Sequence, residues 1–408
     1  MLACGCHKSI SVVERGKGMR VVFLGLMYAD AFFEDMKKKN KKSPQMAPHN
    51  FQSALLAGMR MTGNQIQVVN IPPVGSFPIN YRSPFVPGGT WGEVNSQIGY
   101  FNVPFLKHHI QEKALKREIE KIMKRSEEDV HFVAYSPYLP FLRVLKKVKK
   151  KYPNTKCCLI VTDCIPGRGD MEKYMTSRMK RRGDEVVKLT KSVDAFALVT
   201  EHLVGALELE NKPYVLTECV CNASQMRCQK NPQSFNRCLY TGGLSFEYGI
   251  KEMVEAFAGI KNAELWLCGD GPDKAYVEQA ARQYPNVKYY GFLPSELLQP
   301  LRQQCDFMIN PRRPTGTYTK YSFPSKTVEY MMTGKPVIMY KLEGVQDEYD
   351  PYLNYLCAQS SDEMRMELEK IFSADYNGFA EKGMRGRDFV MKNKDPKTQA
   401  EKIISLLR

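Results

Sequence analysis

The sequence predicts an α/β protein built from two Rossmann-like halves. Three observations support this. Strand and helix patterns alternate through residues 19–220, the alternation breaks in a polar stretch at 221–235, and it then restarts. A chain of 408 residues exceeds one ordinary core and suits two domains of usual size. A hydrophobic content of 43% with 25% charged residues is that of a folded globular protein rather than a disordered one.

In the first half, Arg20 to Leu24 is a short β-rich run ending at Gly25. A helical pattern covers about Phe51 to Met61, a strand follows at Gln65 to Ile71, and the Pro/Gly-rich stretch from Ile71 to Gly92 reads as loop. Next come a helix at Leu106 to Arg125, a strand at Val130 to Tyr135, a basic helix at Leu139 to Lys151, a strand at Lys156 to Thr162 and a polar helix at Asp170 to Thr190. The strand Ala195 to Thr200, the helix Glu201 to Glu208 and the strand Tyr214 to Thr217 complete this half. His131 falls within its strand and His202 at a helix start.

In the second half, Arg237 to Tyr240, Ala263 to Cys268, Val287 to Tyr290, Asp306 to Asn310 and Pro336 to Met339 read as strands. Helices at Ile250 to Phe257, Ala275 to Arg282, Leu297 to Gln304 and after Pro324 alternate with them. Such alternation implies a parallel sheet covered on both faces. The expected division is a tail at 1–18, a first domain at 19–220, a linker at 221–235, a second domain at 236–392 and a C-terminal segment at 393–408 that packs back on the first domain. In that last segment Pro396 suits a first helical turn, and Ala400, Ile403, Ile404 and Leu407 form an apolar stripe.

The twelve cysteines do not read as a disulfide framework in a chain this long. Cys157, Cys158 and Cys268 lie inside strands. Cys219, Cys221, Cys228 and Cys238 fit no standard zinc spacing, so reduced structural thiols are expected and no metal. No apolar run reaches the roughly 20 residues needed to span a bilayer, and the first residues lack the order of a signal peptide. A cytoplasmic protein is expected.

The charge is uneven. Residues 1–220 hold 34 Lys+Arg against 21 Asp+Glu, whereas residues 221–408 hold 25 against 23. The excess gathers in Lys37 to Lys42, Arg143 to Lys151 and Arg178 to Arg182. Each run alone reads as a solvated face; three in one domain point to an anionic partner. An acidic membrane surface on the inner face of the cell membrane is the expected one. In Arg143 to Lys151, Val144, Leu145 and Val148 alternate with cations as in an interfacial helix, although the same stripe would also serve a core. Nothing in the sequence resembles a nucleic-acid-binding motif, and no such partner is expected.

The most specific run is SFPSKTVEYMMTGKPVI, Ser322 to Ile338. Pro324 fixes an extended approach, Ser325 is the expected N-cap, and first-turn N–H groups face the loop mouth, an arrangement that binds anions. The helix is expected to end at Gly334, with Pro336 barring continuation. A diphosphate there would need no metal, and Glu329 would accept both hydroxyls of a ribose. The alternative is an ordinary capped helix with an exposed glutamate.

Taken with YTGGLSFEYGIKEMVEAF (Tyr240 to Phe257), LWLCGDGP (Leu265 to Pro272), YYGFLP (Tyr289 to Pro294) and INPR (Ile309 to Arg312), this run resembles glycosyltransferase family 4. It is most similar to the capsular and exopolysaccharide members. The resemblance covers about 110 residues in order and is weaker over 19–220, where it rests on IVTDCIPG and TEHLVGALELENKPYVLTE. It implies the GT-B fold, two facing Rossmann-like domains with a central donor cleft. It also implies a retaining, metal-independent transfer of a hexosyl group from a nucleotide-sugar to a glycan or lipid-linked glycan. No cofactor is implied.

The resemblance carries a ribose-binding role to Glu329. It places the donor against Gly25, Gly242, Gly243 and Gly269, the base by Phe292 and Leu293, and the diphosphate at Ser322, Phe323, Pro324 and Ser325. Where the wider family has a first glutamate this chain has Tyr321, and the family's phosphate-binding Arg and Lys fall on Gly243 and Tyr248. Their charge is left to Lys326, Arg312, Arg313 or Lys320, with Lys326 preferred because it sits in the loop, and Lys326 is taken as catalytic. A family histidine matches Thr162. Asp163 beside it orients a hydroxyl or acts as base, or else caps a turn. Two other readings stand beside this one. A dinucleotide oxidoreductase would need G-x-G-x-x-G where the chain has Gly269-Asp270-Gly271-Pro272. A partner protein that had kept the fold and lost transfer would explain the missing cations.

Overall fold

The computed structural model describes residues 18–41, 46–165, 175–221, 236–315 and 317–408. The first domain begins β1 (Arg20–Gly25), α1 (Asp30–Lys39), α2 (Met46–Arg60), β2 (Gln65–Asn70). Four short strands follow: β3 (Phe85–Val86), β4 (Gly89–Trp91), β5 (Asn95–Gln97) and β6 (Tyr100–Phe101). The domain continues with α3 (Lys107–Lys124), β7 (Val130–Tyr135), α4 (Leu139–Lys151), β8 (Cys157–Val161), α5 (Ser177–Thr190), β9 (Ala195–Leu198), α6 (His202–Leu207) and β10 (Tyr214–Leu216).

Its eight-stranded sheet has the order β10-β9-β8-β7-β1-β2-β5-β4 and is parallel except for β4 against β5. All five residues of β8 are buried, as expected of a strand covered on both faces. The small antiparallel pair β3–β6 stands apart from the sheet.

The second domain comprises β11 (Asn236–Gly243), α7 (Ile250–Ala258), β12 (Ala263–Asp270), α8 (Lys274–Gln283), β13 (Val287–Tyr289), α9 (Ser295–Gln304), β14 (Phe307–Asn310), α10 (Ser325–Met331), β15 (Val337–Tyr340), β16 (Leu353–Leu356), α11 (Ser361–Ser373) and α12 (Tyr376–Asn393). Its six strands are all parallel, in the order β13-β12-β11-β14-β15-β16. The order reverses between β11 and β14. Beyond the carboxyl ends of strands at such a reversal, doubly wound sheets hold their ligands.

The chain then returns to the first domain. α13 (Pro396–Ser405) lies along α2, and Ala400, Ile403, Ile404 and Leu407 share one buried cluster with Phe23, Leu55, Met59 and Tyr135. The Asp395 carboxylate caps α13, accepting from Lys397 N at 3.0 Å and Thr398 N at 3.1 Å. Gly58 permits the close crossing, because a Cβ there would stand 1.8 Å from the Pro396 carbonyl oxygen.

Several expectations need correction. Val144, Leu145 and Val148 of α4 face the core, and Arg143, Lys147 and Lys149 beside them are held in intramolecular pairs, so the apolar stripe of α4 is not an interfacial one. Arg143 pairs with Glu185 at 2.7 Å, Lys147 with Glu112 at 2.6 Å and Lys149 with Asp194 at 2.9 Å. The polar helix expected from Asp170 is described only from Ser177; its first part, like most of the expected linker, lies outside the described residues. Among the described residues no helix is long and apolar enough to cross a membrane.

Candidate functional site

A cavity of about 790 Å³ opens at the carboxyl edge of the second sheet. Its floor is made by the ends of β11 and β12, which run side by side in register with Gly242 opposite Gly269. A Cβ on Gly269 would stand 1.7 Å from the Gly242 carbonyl oxygen, so only glycine lets the strand ends lie this close. The backbone is thereby left open to whatever fills the cavity.

α10 is fixed to this floor by a buried tyrosine. Tyr330 Oη accepts from Thr241 N at 2.9 Å and donates to Thr241 O at 3.1 Å. That anchor delivers the helix start and Lys326 to Gly242. Lys326 Nζ donates to Thr241 O, lies 6.0 Å from the Tyr240 ring centroid, and occupies the space a Gly242 side chain would need. Burial pulls its ammonium pKa down and Arg302 adds to this, while Glu329 pushes it back up. Pro324 is the N-cap, with φ −74° and ψ 97°, and no side chain caps the first turn. Ser325 is therefore the first helical residue rather than the expected cap, because its backbone has already entered the helix.

Glu329 lies in the second turn, half exposed, with its carboxylate open to the cavity. Gly242, Gly243, Gly269, Phe292, Leu293, Ser325, Lys326 and Glu329 thus all line one space. Phe292, 73% exposed, forms its lip. The opposite wall comes from the first domain, where α2 contributes Asn50, Phe51 and Ala54.

The other sequence-derived candidates lie elsewhere. A Cβ on Gly25 would make only ordinary contacts of 3.4 Å, and Gly25 does not line the cavity. Arg312 Nη2 reaches Ser322 Oγ at 3.5 Å and its guanidinium sits 5.9 Å from the Tyr248 ring, bracing the loop between β14 and α10. Arg313 pairs with Glu252 at 3.8 Å. Phe323 packs against the cores of both domains, 5.4 Å from the Tyr349 ring.

Tyr321 is buried in the first domain's core, and the neighbouring Lys320 carbonyl accepts from Thr200 Oγ1 at 2.8 Å. This segment is thereby anchored to the first domain. Asp163 stands at the edge of the first sheet, open to water yet flanked closely enough that desolvation raises its carboxyl pKa; Arg312 of the other domain opposes the rise.

Sequence reasoning missed Arg302. It is 6% exposed, lines the cavity from α9, and its Nη2 lies 4.0 Å from Glu329 Oε2. Its Nε is buried with no hydrogen-bond partner among the described residues. Leu298, four residues earlier, lines the same cavity, so a helical-period reading could have flagged a cation on a core-facing stripe. Cys219, Cys221 and Cys238 are free thiols buried in the second core.

Residues 236–373 match the family model described as Glycosyl transferases group 1. No curated protein matches the chain. Among solved structures it is similar to sucrose-phosphate synthase from Thermosynechococcus elongatus, at 13% identity and a TM-score of 0.64 over 95% of this chain and 98% of that one. It is also similar to HepE from Anabaena in complex with UDP and glucose (13%, TM-score 0.60, 95% and 99%). A third is the α,α-trehalose-6-phosphate synthase from Burkholderia multivorans (8%, TM-score 0.63, 96% and 96%). At these identities the likeness is one of fold: the chain has the GT-B architecture of two parallel-sheet domains facing a cleft.

Proposed function

We propose that the chain is a glycosyltransferase that holds a nucleotide-sugar in this cavity and passes the sugar to a glycan or lipid-linked glycan. One observation carries the reading. Bare glycine backbone at Gly242 and Gly269, a buried lysine, an uncapped helix start and an acceptor-only carboxylate converge on one space of about 790 Å³. That volume suits a ligand of this size.

The diphosphate would lie over Gly242 and Gly243 at the start of α10, where backbone donors and the helix dipole favour negative charge. Lys326 would turn from Thr241 O to the phosphate oxygens and take up the charge that develops as the sugar leaves. Glu329 would accept the ribose hydroxyls, and the base would rest between Leu293, Leu298 and Phe292. Asp163 would orient the incoming hydroxyl. Retention of configuration and independence from metal belong to this proposal, as does a capsule-type acceptor. HepE, solved with UDP and glucose, makes a uridine donor the first to try.

The test is calorimetry against UDP, GDP and their common sugar conjugates, followed by nucleoside-diphosphate release. Binding with slow release supports the reading. No binding to any nucleotide overturns it, and binding with neither release nor transfer favours a partner protein, a reading that buried Tyr321 lends some support.

Two variants probe the donor wall. Glu329→Gln should weaken donor binding by about tenfold to a hundredfold, since a hydrogen bond to a charged acceptor is worth about 1.5–3 kcal/mol. Unchanged calorimetric affinity would remove Glu329 from the site. Arg302→Met should also lower donor affinity, by about tenfold, without lowering thermal stability, because a poorly paired buried cation costs the fold more than a packed methionine. A falling melting temperature with intact affinity would make Arg302 structural instead.

A further inference from the structure

Among the described residues, the exposed phenylalanines of the first domain gather in one region with exposed Leu106. Phe85 and Phe101 face each other across the β3–β6 pair with centroids 5.6 Å apart, 45% and 59% exposed. Phe105 is 86% exposed and Leu106 57%. Backbone bonds tie these segments together: Asn102 N to Pro84 O at 2.7 Å, and Phe77 N to Asn102 O at 3.0 Å, which brings up the turn bearing exposed Ile79. Phe105 has φ 64°, a left-handed conformation that a bulky side chain adopts at a cost, and it buries almost nothing in return. The fold gains little apolar burial from that side chain as it stands.

Two of the three basic runs border this region. The end of α1 is laced to it through Arg82 N to Lys39 O at 2.8 Å and Lys41 N to Asn80 O at 3.0 Å, which sets Lys37, Lys38 and Lys41 alongside exposed Arg82. On the other flank, the Arg178 guanidinium stands 5.7 Å over the Phe105 ring, with exposed Met179, Arg181 and Arg182 following on α5. Burial first, and then the nearby Arg182, Lys107 and Arg143, push the His108 imidazole pKa down to about 4.

In the third run, on α4, Arg143, Lys147 and Lys149 are taken up by Glu112, Glu185 and Asp194. α3 and α5 each lead into a parallel strand, so both begin at the edge of the sheet where strands end. That edge also carries Gly25 and Asp163.

We propose that this aromatic tip, formed by Phe85, Phe101, Phe105 and Leu106 between the α1 lysines and the α5 arginines, inserts into the interface of an anionic bilayer. The apolar side chains enter the headgroup boundary while the flanking cations pair with acidic lipid, a combination that holds a protein reversibly. Docking in this pose sets the acceptor side of the cleft against the membrane. The proposal stands whether or not the cavity binds a nucleotide-sugar.

The experiment is co-sedimentation of the full chain with phosphatidylcholine vesicles, with and without phosphatidylglycerol, at low and high salt. Binding to the anionic vesicles alone, weakened by salt, is expected. Phe105→Asn with Leu106→Ser should reduce it by about tenfold or more, asparagine being chosen because it accepts the left-handed backbone. Lys147→Ala should leave it unchanged. Phe105→Trp should show a blue-shifted emission on adding anionic vesicles that wild-type protein does not.

Equal binding to neutral vesicles, no binding at low salt, or full binding by the Phe105/Leu106 double variant would overturn the proposal. Self-association without vesicle binding, seen by sedimentation, would also overturn it and give the surface to a second copy.

Discussion

Lys326→Met is expected to lower kcat by about a hundredfold to a thousandfold, the loss seen when a preorganised charge-stabilising donor is removed, while the donor KM changes far less. Methionine keeps the buried stem against Gly242 and Tyr240 and removes only the ammonium. The effect should therefore appear in turnover rather than folding. Lys326 lines the cavity without a competing carboxylate bond, since its hydrogen-bond partner is the neutral Thr241 carbonyl. Because burial draws its pKa down, turnover should fall on the alkaline side before the ordinary lysine range is reached. Steady-state kinetics across pH checks both, and a wild-type kcat would transfer the role to another cation, Arg302 first.

The second large effect concerns stability. Lys394→Met should destabilise the protein by about 3–5 kcal/mol, the cost of leaving a buried charge without its partner. Lys394 is 2% exposed; its Nζ contacts Glu218 Oε1 and lies 2.6 Å from Glu348 Oε1, with the Tyr349 ring 5.2 Å away. Glu218 has a fully buried side chain that also accepts from Tyr349 Oη at 2.5 Å, and its second oxygen has no partner among the described residues.

Burial lowers the Lys394 pKa, but Glu218 and Glu348 outweigh it and the net shift is upward. A cation whose folded pKa is raised contributes fully below its unfolded value, so the contribution is intact at neutral pH and is lost only as alkaline pH passes the folded pKa. The urea midpoint measures the loss. Glu218→Gln combined with Lys394→Met should recover more than half of it. An unchanged midpoint in the single variant would mean that water reaches Glu218.

The regular parts of this fold were readable because their patterns are unmixed. β8 is five buried residues in a row, and glycines at or next to the last residue of β11 and β12 mark the edge where the cavity opens. α1 was not read: it buries only Met36, so no stripe marks it. α12 was not read either, and Gly378, Gly383 and Gly386 dilute its helical pattern. Yet a Cβ on Gly383 would stand 2.6 Å from the Gly334 carbonyl oxygen, so that glycine serves packing rather than a turn. The strands β3 to β6 are too short to show a period.

The site divides in the same way. Lys326 and Glu329 belong to one linear run and were legible together. Arg302 and the α2 wall meet them only through tertiary structure. The left-handed Phe105 has no signature in composition at all.

The return of α13 to the first domain bears on synthesis. Residues 396–407 complete a hydrophobic cluster whose other members begin at Val21. A nascent chain that has released the whole first sheet still lacks one wall of that domain, with Leu55, Leu56 and Met59 of α2 facing water until the second domain has been made. Domains generally fold as units in the order they emerge; here the earlier unit can only be sealed by the later one. The α2 surface is therefore where a chaperone holding this chain during translation would be expected to bind, and where a truncation upstream of Pro396 would expose an aggregation-prone face.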